Sequence, residues 1–171
     1  MQVIEWKPPP HAKVNEICIK TWLYDGGNDV FNSFALSGEP MADQLAGAYS
    51  TEPSSQYNAS EIAETNIQQR EMKKAYLDYW NSTASQTNTE RPVDAIISPL
   101  APFPAARPNM YAHYGYTTWV NLLDYTSVVV PVTNVDKSLD PVDKEYKPLN
   151  KEDQICYDSC EYCSNNYYAQ G

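Results

Sequence analysis

The stretch Ser127–Thr133, "SVVVPVT", holds four valines in seven residues and no charge. Its apolar residues follow neither the alternation of a half-exposed strand nor the spacing of a helix, which is the pattern of a strand covered on both faces. A second run of this kind lies upstream in "PVDAIISPLAP" (92–102), through Val93, Ala95, Ile96 and Ile97. A third, shorter one, "VIEW" (3–6), is stopped by Pro8, Pro9 and Pro10. Between the two longer runs, Trp119, Leu122 and Leu123 recur at helical spacing. Strands of the buried type on either side of a helix predict an α/β fold with a parallel or mixed sheet.

The remaining patterns are helical. Val14, Ile17, Cys18, Thr21 and Trp22 make one stripe, widened by Leu23 and Tyr24, and Asp25-Gly26-Gly27 supplies a stop. Asn28 to Ser37 reads as a second, short helix closed by Gly38-Glu39-Pro40. Met41 to Asn58 reads as polar and irregular. From Ser60 runs the longest helical pattern, where Met72, Tyr76, Tyr79 and Trp80 form a stripe as wide as one buried face. That aromatic stripe reads as core, not as a binding platform. The segment from Asp136 onward is charged and irregular, and no internal repeat is evident.

The 171 residues suit one domain or part of a larger one. With 22 acidic against 12 basic residues the net charge is -10. This argues against nucleic acid and anionic lipid as partners, because phosphate binding is driven by Lys and Arg. No apolar run approaches the span of a bilayer, and "MQVIEWKPPPHAK" lacks the basic-then-apolar order of a secretory signal. The expectation is a cytoplasmic protein whose four cysteines are thiols, with the sequons at Asn58 and Asn81 accidental. Only Gly26 and Gly27 are adjacent among six glycines, so a phosphate-cradling loop is not expected.

Cys156, Cys160 and Cys163 are spaced C-x3-C-x2-C, which would suit three thiolates converging from one loop on an iron–sulfur cluster. The surroundings argue against it, since only eight residues follow Cys163 and no glycine-rich loop accompanies the motif. A closed zinc site wants a fourth ligand, and neither Cys18, His11 nor His113 has ligand-like spacing. No metal and no cofactor are expected. Ser54-Ser55 lacks flanking glycines and a nearby base, and nothing completes a Ser/His/Asp arrangement around His113. The carboxylates, from Glu61 and Glu64 to Asp143 and Glu145, read as a solvated acidic face.

Four stretches taken in order carry a resemblance: "VIEWKPPPHAKVNEI", "DGGNDVFNSFALSGEP", "YLDYWNST" with "PVDAIISPLAP", and "YGYTTWVNLLDYTSVVVPVTNVDKSLD". Together they are similar to the fungal acetamidase and general amidase branch of the amidase signature family. The resemblance implies the C-terminal part of that fold, a mixed β-sheet flanked by helices, here incomplete. It also implies hydrolysis of carboxamides to a carboxylate and ammonia by a serine nucleophile, a second serine in a cis peptide and a lysine. Those residues belong to a part of the family preceding Met1, so no catalytic residue is carried over. Pro99, Leu100, Ala101, Pro102, Asn121 and Tyr125 are the expected neighbours of the acyl pocket, with packing as the competing role for each.

Two features depart from the family pattern. Thr126-Ser127 stands where relatives carry a proline, and after Tyr157 an apolar strand is replaced by the cysteine-bearing tail. The expected organisation is therefore a C-terminal amidase portion over 1–157 and a divergent tail over 158–171. A small amide would be its substrate only if the missing N-terminal part were supplied. Alone, the chain is expected to be inactive and, with unpaired strands, prone to aggregate. The alternatives are a non-catalytic remnant or interaction protein, paired with a full-length amidase or with itself, and an iron–sulfur or zinc protein.

Overall fold

Three consecutive prolines cannot enter a helix interior, and the first helix begins directly after them. In the computed structural model α1 runs His11–Trp22 with Pro10 at its N-cap and Lys20 in its last turn. The structure describes residues 1–102, 111, 113–134, 136, 138–141 and 143–166. α2 spans Asn28–Ser37 between two glycines in the left-handed region, Gly27 (φ 81°) and Gly38 (φ 71°). Asp25 holds the α1–α2 turn, its carboxylate accepting from Asp29 N (2.7 Å) and Gly27 N (2.8 Å). Those two backbone donors keep its carboxyl below the usual range.

Met41 to Asn58 is not wholly irregular, for α3 occupies Asp43–Tyr49. α4 is the long helix, Ala59–Ser82, and it opens on a capping box. Asn58 Oδ1 accepts from Ser60 N (2.9 Å) and Glu61 N (3.1 Å), while the Glu61 carboxylate accepts from Asn58 N (2.8 Å). Asn58→Ala removes the acceptor for two otherwise unpaired N–H groups. It is expected to lower stability by about 1 kcal/mol, measured by urea unfolding. A 3₁₀ turn, Thr83–Gln86, follows. There the buried Thr83 hydroxyl donates to Trp80 O (2.7 Å) and accepts from Val93 N (3.0 Å), tying the next segment to the end of α4.

α5 covers Thr118–Leu123 and stops at Asp124, which is left-handed (φ 56°). α6, Lys151–Asn166, replaces part of the closing segment expected to be irregular from Asp136. Val14, Ile17 and Cys18 of α1, Tyr76 of α4, and Trp119, Leu122 and Leu123 of α5 form one buried cluster, with Trp6, Met72, Ile96, Val120 and Tyr125 against its edge. α1 packs on both α4 and α5, and α4 on α5. Val14, Ile17 and Cys18 of the α1 stripe and Tyr76 of the α4 stripe thus serve as core, as their spacing predicted, whereas Trp22 is exposed.

The mixed β-sheet is not present among the described residues. They contain no strand and are about 49% helical, so the α/β expectation is corrected to an all-helical arrangement joined by long coil segments. Val3–Trp6, Val93–Ser98 and Ser127–Thr133 have no regular structure. Val128 is 83% exposed and Ile97 87%. A helix closes its hydrogen bonds within its own segment, whereas a strand must borrow them from a neighbour. Among the described residues no backbone group of 127–133 bonds to another segment.

Candidate functional site

Pro99 and Leu100 are exposed, and Ala101 and Pro102 half-buried, on the coil that follows Ser98. Pro104 and Pro108 lie outside the described residues. Asn121 is exposed on α5, and Tyr125 is half-buried just past the α5 cap. Among the described residues no hydrogen bond or ring contact joins 99–102 to either of them.

Tyr125 is positioned by backbone and rings together. Its N–H donates to Val120 O (3.1 Å), and its ring meets Trp80 and Trp119 edge-on at 6.0 and 6.1 Å. Burial pushes its phenol above the ordinary value. Gln69 Nε2 donates to Leu122 O (3.3 Å), and Lys73 pairs with Asp124, so α4 anchors the end of α5 from beneath. The side of Tyr125 facing the core is therefore occupied by aromatic packing.

At the core's edge His11 stacks beside Tyr76 and Trp119, with centroids 6.2 and 5.8 Å away and the planes within 20°. Its buried Nε2 has no hydrogen-bond partner among the described residues. Burial holds the imidazole below its ordinary value of 6.5. A lowered value means the unfolded chain takes the proton first. This contribution to stability is present above 6.5 and is lost as pH falls from there through the lowered folded value. The thermal midpoint should drop as pH falls below 6.5, and His11→Phe should flatten that slope. An unchanged slope would remove His11 from the account.

Sequence reasoning read past one further feature, a cleft of about 450 Å³ lined by Thr21, Trp22, Tyr24, Asp25, Asp29 and Tyr49. Its only signal in the sequence was Asp25-Gly26-Gly27, read as a helix stop. Three of its polar side chains are already committed. The Thr21 hydroxyl donates to Cys18 O (2.7 Å), Asp25 caps the turn, and Tyr24 Oη donates to Asn66 Oδ1 (3.0 Å). Burial, then the charges of Asp29 and Asp25, pushes the Tyr49 phenol up. No nucleophile with a base lines this cleft.

The other sequence candidates resolve similarly. Ser54 straps the α1–α2 turn, its N–H donating to Gly26 O (3.0 Å). His113 meets Tyr116 edge-on at 5.6 Å. Lys7, Lys13, Lys20, Lys73 and Lys74 each pair with a carboxylate, not a hydroxyl. The cysteine motif lies on α6, not on a loop. The side chains of Cys160 and Cys163 lie outside the described residues. Burial, then Asp153 and Glu152, pushes the Cys156 thiol up, opposite to what a thiolate ligand requires.

With no reactive constellation assembled among the described residues, likeness to known proteins decides the identity. The family model described as Amidase matches residues 1–151. This chain belongs to the amidase family. It is 35% identical to the acetamidase of Aspergillus oryzae over 168 residues, covering 98% of this chain and 30% of that relative. The acetamidase of Emericella nidulans is 31% identical over 167 residues, with 98% and 30% covered. The putative amidase kk1C of Curvularia clavata is 32% identical over 170 residues, with 98% and 31% covered. The chain spans about 30% of the length of these amidases. The resemblance read from the four stretches is thus established. No helix of the described residues is long and apolar enough to cross a membrane.

Proposed function

We propose that this chain is the non-catalytic C-terminal scaffold of a cytoplasmic carboxamide hydrolase, active only together with the rest of an amidase polypeptide. The reaction is the addition of water to a small amide, giving a carboxylate and ammonia. The observation that carries this reading is the combination of identity across 98% of the chain with coverage of 30% of an acetamidase. The serine nucleophile, the cis-peptide serine and the lysine that the family resemblance calls for have no counterpart in the arrangement described above. Asn121, Pro99 and Leu100, being exposed, are available as neighbours of the acyl pocket. Tyr125 would act by holding α5 against Trp80, since its ring is engaged in the core. The acidic balance of -10 supports a small-molecule partner over nucleic acid.

Purified alone with acetamide, the chain should release no ammonia above the uncatalysed background. Release well above it would overturn the proposal, since it would require a complete site within these 171 residues.

A further inference from the structure

We propose that the cleft beside the α1–α2 turn is a binding site for a small methylated ammonium ion, with Trp22, Tyr24 and Tyr49 as its aromatic walls and Asp25 and Asp29 as its counter-charge. Three of the six lining residues are aromatic, two are carboxylates and none is basic. Aromatic rings attract a cation through their quadrupoles, and carboxylates add direct charge. The walls are anchored. Tyr49 packs on Gly27, where an added Cβ would lie 2.8 Å from its Cδ1. Tyr24 is held by its hydroxyl on Asn66 (3.0 Å), by the Tyr57 ring edge-on at 6.0 Å, and by Tyr57 N donating to its carbonyl (2.9 Å). Trp22, the last residue of α1, leaves 41% of its surface open to an occupant.

The chemistry of the ligand follows from what the lining has already spent. Thr21 and Tyr24 donate their hydroxyls elsewhere, the Asp25 carboxylate accepts from Gly27 N and Asp29 N, and Asp29 Oδ1 accepts from Val30 N (2.7 Å). The negative charge is not spent. Among the described residues no lysine or arginine pairs with Asp25 or Asp29, and Lys20, one turn back on α1, is engaged by Glu16. Burial, and after it the charges of Asp29 and Asp25, raises the Tyr49 phenol, so the field of both carboxylates reaches that wall. A cleft offering charge and ring surface but few free acceptors suits a cation clothed in methyl groups better than one with several N–H donors to satisfy. A hard metal ion would need several converging oxygens, and no group of three or more potential ligands gathers among the described residues. The volume of about 450 Å³ accommodates a trimethylammonium head with a short chain. Because the cleft is formed within residues 21–49, the inference stands independently of the amidase reading.

Ligand-observed NMR on the full chain tests it, with choline as the probe and 3,3-dimethylbutan-1-ol as the uncharged molecule of the same shape. Choline should bind saturably, and the alcohol at least about 5-fold more weakly. Trp22→Ala and Asp29→Asn should each weaken choline binding by about 5-fold. The second keeps an oxygen at position 29 that can still accept from Val30 N. Glu71→Gln removes one charge from an exposed carboxylate on α4, outside the cleft, and should leave binding unchanged. Absence of saturation by choline, or equal binding of choline and the alcohol, would overturn the assignment. So would an equal loss in Glu71→Gln and Asp29→Asn, which would assign the attraction to the net charge of -10 and not to the cleft. Should Trp22→Ala lower the thermal midpoint, the comparison of the two ligands on the unsubstituted chain, together with Asp29→Asn, decides.

Discussion

Tyr76→Ala is expected to cost about 3–5 kcal/mol, the range for deleting a large buried aromatic side chain. Tyr76 is fully buried, lies parallel to Trp119 with centroids 6.5 Å apart, and stacks on His11. It also touches the element interface where α1, α4 and α5 meet, so the cavity left behind has no flexible wall to collapse it. Small domains are stable by roughly 5–15 kcal/mol in all, so this one change should abolish most of the cooperative helical signal. Tyr76→Phe is the control. It keeps the ring and loses only the long hydroxyl contact to Pro9 O (3.3 Å), and should cost about 1 kcal/mol or less. Urea unfolding followed by far-ultraviolet circular dichroism distinguishes the two. Equal, small losses would mean that the three helices are not held by this aromatic centre.

The second large effect belongs to the backbone. At Gly26→Ala the new Cβ would overlap the carbonyl oxygen of Ser54 and lie 2.9 Å from its carbon, while φ is held at +71°. The left-handed conformation alone costs a non-glycine residue roughly 1–2 kcal/mol. The overlap adds to this because the obstacle is backbone and cannot rotate away. Relief requires moving 54–57, which are fixed by Ser54 N to Gly26 O (3.0 Å) and Tyr57 N to Tyr24 O (2.9 Å). A total loss of about 3 kcal/mol is expected, with faster hydrogen exchange at those two amides. Gly38→Ala separates the two terms: its φ is also +71°, but nothing lies within 4 Å of the added methyl group. It should cost about 1 kcal/mol. If Gly26→Ala proved no worse than Gly38→Ala, the close approach of the 54–57 strap would be refuted.

These two residues also show why some of the fold was legible and some was not. α2 was read from Asn28 to Ser37 because glycines bracket it, and both take the positive φ that the reading assumed. α1 was legible because Val14, Ile17 and Cys18 repeat at helical spacing and all three are buried. α3 and α6 were missed because neither carries an apolar stripe of useful width. The remaining signal for α6 was a polar one. Asn150 Oδ1 accepts from Asp153 N (2.9 Å), and Glu152 and Asp153 lie in the first turn, a start signature written in charges. The cysteine spacing suits a loop that gathers thiolates, but the segment is helical.

Of the expected pocket neighbours, sequence placed Asn121 and Tyr125 on one helix; Asn121 lies on α5, but the helix ends at Leu123, before Tyr125. What it left open was which way each faces. Exposure leaves Asn121 available, while contacts with Trp80 and Trp119 commit Tyr125 to packing. Those contacts come from residues distant in the chain, which no local pattern announces.

By itself the sequence determined the helices that cap and bond within their own length, the aromatic residues that fill the core, and membership of the amidase family. Only the tertiary structure decided the state of Val3–Trp6, Val93–Ser98 and Ser127–Thr133. β-branched, apolar residues state a preference for strands, but the preference is realised only where a neighbouring segment supplies hydrogen bonds and cover. Helical hydrogen bonds join residues four apart and so are written locally. Strand pairing is a relation between segments, and among the described residues no segment pairs with any of those three.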